Sequence, residues 1–171
     1  KGIAESLNQG ILLSRGDYIA RMDSDDISLP RRFEKQYEFM EINKDISISG
    51  TFYKTIGHGK SYTSKLLSDS EDIKAQLLFN SGVAHPTVIM RKLFLIKNNL
   101  FYRNQYIEED YDLWTRISET GKITNIKHIL LYYRLHESNL MIQNKANKKS
   151  TINEIRRRQL EKLGLQPQES D

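Results

Sequence analysis

Three groups of residues in this chain of 171 have the types and spacing to do chemistry. The first is Asp23-Ser24-Asp25-Asp26, which ends the extended run Tyr18-Ile-Ala-Arg-Met22. Carboxylates two positions apart on an extended segment project to the same side, where a hard divalent cation can join them. Mg²⁺ or Mn²⁺ held by one or two carboxylates keeps open positions that substrate phosphates fill. The plainer reading is that Asp26 or Ser28 caps the next helix and the other acids are solvated. The second group is Glu108-Glu109-Asp110-Tyr111-Asp112-Leu113-Trp114. Acids at a helix start are favourable against the macrodipole on structural grounds alone. The chemical reading is that one of them faces a pocket as a general base. The third is Tyr133-Arg134-Leu135-His136, where a histidine just past a strand is either a metal or phosphate ligand or an ordinary packing residue. His85-Pro86 carries a weaker signal of the same kind.

The elements that position these groups follow from hydrophobic periodicity. Ile3, Leu7, Ile11 and Leu12 predict an amphipathic helix over 2–13, broken by Gly16 before a strand over 17–22. Pro30 suits a first helical position, with Phe33, Tyr37, Phe39 and Met40 as the apolar face that follows. Residues 46–56 read as a strand, Gly57-His-Gly59 as a turn, and Tyr62 as part of the returning strand. Ser68 and Glu71 resemble a capping box ahead of a helix carrying Ile73, Leu77 and Leu78. Residues 83–90 read as a strand interrupted by Pro86, and residues 92–97 as a short helix. A helix over 109–120 stops at Gly121, with Trp114 in the core, and strands follow at 123–126 and 129–134. This alternation predicts an α/β layer architecture over 1–142, with a basic, helical tail over 143–171. Residues 144–164 carry seven Lys/Arg and two Glu, a local balance of +5.

Composition narrows the function classes. Lys and Arg number 26 against 22 Asp and Glu, so a net charge of +4 falls far short of the dense basic stripe of a nucleic-acid binder. Apolar residues make up 38% and are spread throughout, enough for a packed core. With no cysteine, disulfides, thiolate metal sites and cysteine nucleophiles are excluded, which suits a reducing cytoplasm. No apolar run approaches the roughly 18 residues that span a bilayer.

In combination, Arg15-Gly16-Asp17-Tyr-Ile-Ala-Arg-Met-Asp-Ser-Asp-Asp26, Glu109-Asp110-Tyr-Asp-Leu-Trp114 and Tyr133-Arg134-Leu-His136 closely resemble family 2 glycosyltransferases over residues 1–140. These are inverting enzymes of the GT-A fold, a Rossmann-like mixed sheet flanked by helices, often engaged in building bacterial surface polysaccharides. The resemblance implies that Asp23 and Asp25 hold the DXD positions, which bind the nucleotide ribose and a divalent metal, with Asp26 sharing the role. It implies Asp110 as catalytic base and His136 as a further metal or diphosphate contact. Arg15 and Arg21 flank the acidic strand as phosphate contacts or as partners of its carboxylates. The cofactors implied are Mn²⁺ or Mg²⁺ and a nucleotide-sugar donor, UDP-sugar by association with the family. The partners implied are a saccharide or lipid-linked saccharide acceptor and no nucleic acid.

The family opens with strands that do not occur here, so the expectation is an N-terminally truncated chain that lacks part of the nucleotide pocket. An exposed sheet edge would then favour self-association into a homo-oligomer. Arg156-Arg157-Arg158 offers a peripheral contact to the inner face of the plasma membrane, at about 1 kcal/mol per basic residue, or simply a solvated helix face. Two rival functions stand beside transfer. One is a metal-dependent phosphoryl-transfer enzyme, which the weak basicity disfavours. The other is a sugar-nucleotide or interaction module without turnover.

Overall fold

The computed structural model describes residues 2–136 and 145–166. β-Branched and aromatic residues from Ile46 onward build β3 (Ile46–Gly57), which pairs in parallel along its whole length with β6 (Lys122–Leu135). This pair is the axis of a mixed sheet in the order β1 (Tyr18–Ala20), β5 (Ile89–Arg91), β3, β6, β2 (Ile27–Ser28), with β4 (Thr63–Ser64) returning against β3. All the other pairings are antiparallel. The flanking helices are α1 (Ile3–Leu13), α2 (Arg32–Ile42), α3 (Ser70–Gln76), α4 (Lys92–Lys97), α5 (Glu109–Ile117) and α6 (Lys145–Lys162). The expected α/β mixed sheet with helices against it is therefore present.

One core runs from Ile48 and Ile123 on the sheet through Leu113, Trp114 and Ile117 on α5 to Ile73 and Leu77 beside α3. Each such side chain contributes about 1.5–3 kcal/mol by leaving water. Ile155 of α6 is completely buried in the same cluster. The basic tail was expected to lie outside the core; instead one face of its helix is part of it. The 142/143 boundary proposed from composition lies outside the described residues.

Several local expectations need correction. The buried face of α2 is Arg32, Gln36 and Met40, while Phe33 and Tyr37 are exposed. Gln36 donates to the carbonyls of Ser49 and Thr87, and Arg32 donates to that of Arg21, so polar bonds to distant segments outweigh local apolar spacing. The cap of α3 is Asp69, not Ser68: its carboxylate accepts from the Glu71 and Asp72 amides. The strand expected over 83–90 is a 3₁₀ turn at His85–Thr87 followed by the short β5. The two strands expected at 123–126 and 129–134 are one continuous strand with register shifts opposite Thr51–Tyr53.

Two features bring the site's segments together. Gly57 adopts φ +93°, and a Cβ there would lie 2.5 Å from the Leu135 carbonyl oxygen. Glycine at this position lets the β3–β4 turn fold tightly onto the end of β6, where the His58 amide donates to Leu135 at 2.9 Å. On the other side, β2 pairs with Leu131 and Tyr132, which draws the acidic segment against the same strand end.

Candidate active site

A cleft of about 770 Å³ opens where β1, the β3–β4 hairpin and β6 end, and α5 and α6 close it from the opposite side. Arg21, Asp23, His85, Asp110 and His136 all line it. Residues from four separate stretches of sequence are thus gathered around one space large enough for a small ligand.

The acidic segment after β1 is fixed by its partners. Arg21 holds Asp23 through both carboxylate oxygens, at 2.6 and 2.8 Å. Asp25 Oδ2 lies 2.8 Å from His136 Nε2. Asp26 turns inward, accepting the Arg134 amide at 2.8 Å, while Arg134 Nε donates to the Asp25 carbonyl at 2.7 Å. Burial pushes Asp26 up to about 6, and repulsion from Asp23 and Asp25 adds to the shift. Its second oxygen is buried without a hydrogen bond among the described residues. Arg32 is also completely buried, and desolvation lowers it to about 10 against the pull of Asp26. Thus Asp25 and His136 come together, Asp23 is occupied by Arg21, and Asp26 is a structural tie to β6. Among the described residues no three His, Asp or Glu side chains gather closely enough to hold a metal alone. The Asp25–His136 pair offers two donors, the small donor number that leaves positions open for phosphate oxygens. Arg15 is exposed in the loop before β1 and is not among the residues lining the cleft.

Of three consecutive acids at the start of α5, Glu108 and Asp110 line the cleft and Glu109 does not. Lys148 Nζ donates to Glu108 at 2.8 Å. Glu109 is buried, 3.9 Å from His85 Nδ1, and burial beside Asp110 and Glu108 pushes it up to about 7. Asp110 has no ion-pair partner among the described residues; its Oδ1 accepts the Tyr111 amide at 2.8 Å. Desolvation first, then repulsion from Glu108, pushes Asp110 up to about 6, against the opposing effects of that amide, Arg21 and Lys148. A carboxyl near 6 is ionised at neutral pH yet more basic than an ordinary aspartate, which fits a general base.

Packing from α6 sets the position of this helix start. Asp112 is fully buried and accepts from Arg116 at 2.7 and 2.9 Å and from Arg158 at 2.5 Å. Tyr111 Oη and Gln159 both donate to the Leu77 carbonyl. Arg156 bonds the Phe79 carbonyl, so of the arginine run only Arg157 points to solvent, beside Glu161 at 3.8 Å.

Some participants carried only a weak sequence signal or none. His85 is buried, held neutral by desolvation, and bonded through Nε2 to the Tyr102 hydroxyl at 2.8 Å. Its one sequence signal was the adjacent Pro86, which sets the 3₁₀ turn. Lys148 and the cleft tyrosines Tyr53 and Tyr62 carried no functional signal, and Tyr133 entered only as part of the segment ending in His136, because their places in the cleft depend on α6 and the hairpin folding over the same space.

Comparison with known proteins decides the family. The sequence profile described as Glycosyl transferase family 2 matches residues 1–111. The chain belongs to glycosyl transferase family 2. It is 36% identical over 151 residues to the O-antigen biosynthesis glycosyltransferase WbnJ of Escherichia coli, an alignment covering 86% of this chain and 56% of that protein. It is 33% identical over 135 residues to the amylovoran biosynthesis glycosyltransferase AmsE of Erwinia amylovora, covering 78% and 50% respectively. The chain therefore spans about half the length of the curated relatives it matches. The structure superposes on S. aureus TarS in complex with UDP-GlcNAc with a TM-score of 0.67, at 16% identity, covering 82% of this chain and 41% of that one. At that identity the likeness establishes the fold, and the fold is of the GT-A type. Among the described residues, no helix is long and apolar enough to cross a membrane.

Proposed function

We propose that this family 2 chain forms the catalytic cleft of an inverting glycosyltransferase that uses a nucleotide-sugar donor and a saccharide acceptor hydroxyl. The observation that carries the reading is Asp110, a carboxylate with no ion-pair partner among the described residues, raised to about 6 and facing the same cleft as Asp23 and His136, the latter in contact with Asp25. Asp110 takes the acceptor hydroxyl's proton as that oxygen attacks the anomeric carbon. The bond from that carbon to the nucleoside diphosphate breaks on the opposite face, so configuration inverts. Asp25 and His136 are the residues to hold a divalent ion, Mg²⁺ or Mn²⁺, which when bound neutralises charge on the departing diphosphate. Arg21 supplies a cation between the two acidic segments: it acts on Asp26, Glu109 and Asp110 alike.

The UDP and UDP-GlcNAc bound to TarS support a uridine donor for this chain. Relatives in O-antigen and amylovoran biosynthesis support a role in surface polysaccharide assembly on the cytoplasmic side of the membrane. The inward engagement of Arg156 and Arg158 leaves little of that run for lipid, so the reading does not call on it for membrane contact. Replacing the base tests the assignment. Asp110→Asn is expected to lower transfer by about 10²–10⁴-fold while the thermal shift caused by UDP survives. Near-normal turnover in that variant would remove Asp110 from the role.

A further inference from the structure

The wall of the cleft supplied by the sheet is aromatic. Tyr53 on β3 and Tyr133 on β6 are half-buried diagonal neighbours, with ring centroids 5.6 Å apart and planes at 49°. Tyr62, just before β4, is 52% exposed and lines the same cleft as Tyr53. The β3–β6 ladder shifts register at Thr51/Phe52 and again at Phe52/Tyr53. Irregularities of this kind re-aim a side chain, and here they fall where Tyr53 turns toward the cleft. Leu66 and Val83 continue the apolar lining, and Ile152 of α6 faces it. Segments that needed only packing would bury their aromatic faces; these three side chains line one cavity.

We propose that Tyr53, Tyr62 and Tyr133 form the platform that takes a pyranose ring of the acceptor. This rests on the reading of Asp110 as the base. A pyranose presents an apolar face of C–H bonds and a rim of hydroxyls, and a tyrosine cluster offers the complementary pattern of ring faces and polar tips. The diphosphate side of the cleft is defined by His136, just past β6, which meets Asp25 of the acidic segment. The space between the tyrosines and the start of α5 is then the acceptor's, because the attacking hydroxyl must reach Asp110. Because the ring faces are sequence-neutral toward hydroxyl configuration, the platform supplies affinity for a sugar ring, and the hydroxyl tips select among epimers.

Saturation-transfer NMR with methyl glycosides of glucose, galactose and N-acetylglucosamine, at millimolar concentration, tests the platform without requiring turnover. The protein is expected to transfer saturation to the ring C–H protons of at least one glycoside. Tyr53→Leu and Tyr133→Leu keep an apolar side chain but remove the ring, and each is expected to weaken binding about 3- to 10-fold. Tyr62→Ala, at the exposed position, does the same without disturbing the core. UDP-GlcNAc binding, read by thermal shift, is expected to be unchanged in all three variants. Asp110→Asn should keep the glycoside signal whatever it does to turnover, so failure of the base assignment and failure of the platform are separate results. Absence of transfer to every glycoside, equal transfer in the tyrosine variants, or a parallel loss of UDP-GlcNAc binding would each overturn the proposal.

Discussion

At the end of β1, Asp23 is gripped by both amino groups of Arg21 and Asp25 is met by His136. At the start of α5, Asp110 has a single backbone amide and no cation in contact among the described residues. The side chain is the same in both regions, and the cleft is shared, yet the surroundings assign it opposite tasks. Asp23 and Asp25 are each held by a neighbouring side chain that fixes the carboxylate in place. Desolvation without a partner favours the neutral form and makes the carboxylate basic, as a proton acceptor requires. Asp112 shows how local the difference is. Two positions beyond Asp110 on the same helix, it is more deeply buried but surrounded by Arg116 and Arg158, and its role is to hold α5 and α6 together.

The comparison can be broken most severely at Asp112. Asp112→Ala leaves the buried Arg116 and the partly buried Arg158 without their carboxylate and is expected to cost about 3–5 kcal/mol of stability. A melting temperature unchanged by that substitution would mean that α6 is not locked to α5 through this contact. Asp25→Asn comes next. A ligand at 100 times its Kd adds about 2.7 kcal/mol, and the variant is expected to lose the part of a UDP thermal shift that depends on Mn²⁺. Retention of the full metal-dependent shift would place the cation elsewhere.

A smaller effect sharpens the contrast from the stability side. Asp110 is raised from 3.8 to about 6 on folding, so the native state holds its proton more tightly than the unfolded chain. Its favourable contribution is present below the unfolded value and is lost as pH rises through the folded one. Asp110→Asn should therefore gain stability relative to the unaltered protein as pH climbs from about 4 to about 7, by on the order of 2 kcal/mol. A constant difference across that range would show that the carboxyl is not desolvated.

The sequence made part of this readable. Helix α5 was legible from its acidic first turn and its apolar Leu113, Trp114 and Ile117, and the acidic segment from an extended run that ends in four polar residues. Which acid faces the cleft was not a matter of periodicity, since eight of the nine residues of α5 are buried. That choice is made by α6, which lies far along the chain and takes up Glu108 through Lys148 and Asp112 through Arg158. For the same reason the buried face of α2 was misread. Arg32 and Gln36 look like surface residues until the carbonyls of Arg21, Ser49 and Thr87 are brought beside them. The tyrosine wall depends likewise on bulges in β6 and on a glycine turn, features with weak local signatures.

The most direct test of the central claim is the pH profile of kcat/KM for sugar transfer, recorded for the protein and for Asp110→Asn. With Asp110 as the base, raised to about 6, the rate should rise about tenfold per pH unit below that value and level off above it. The residual rate of the variant should lack that inflection. A profile that is flat across this range, or an inflection that survives in Asp110→Asn, would contradict the account.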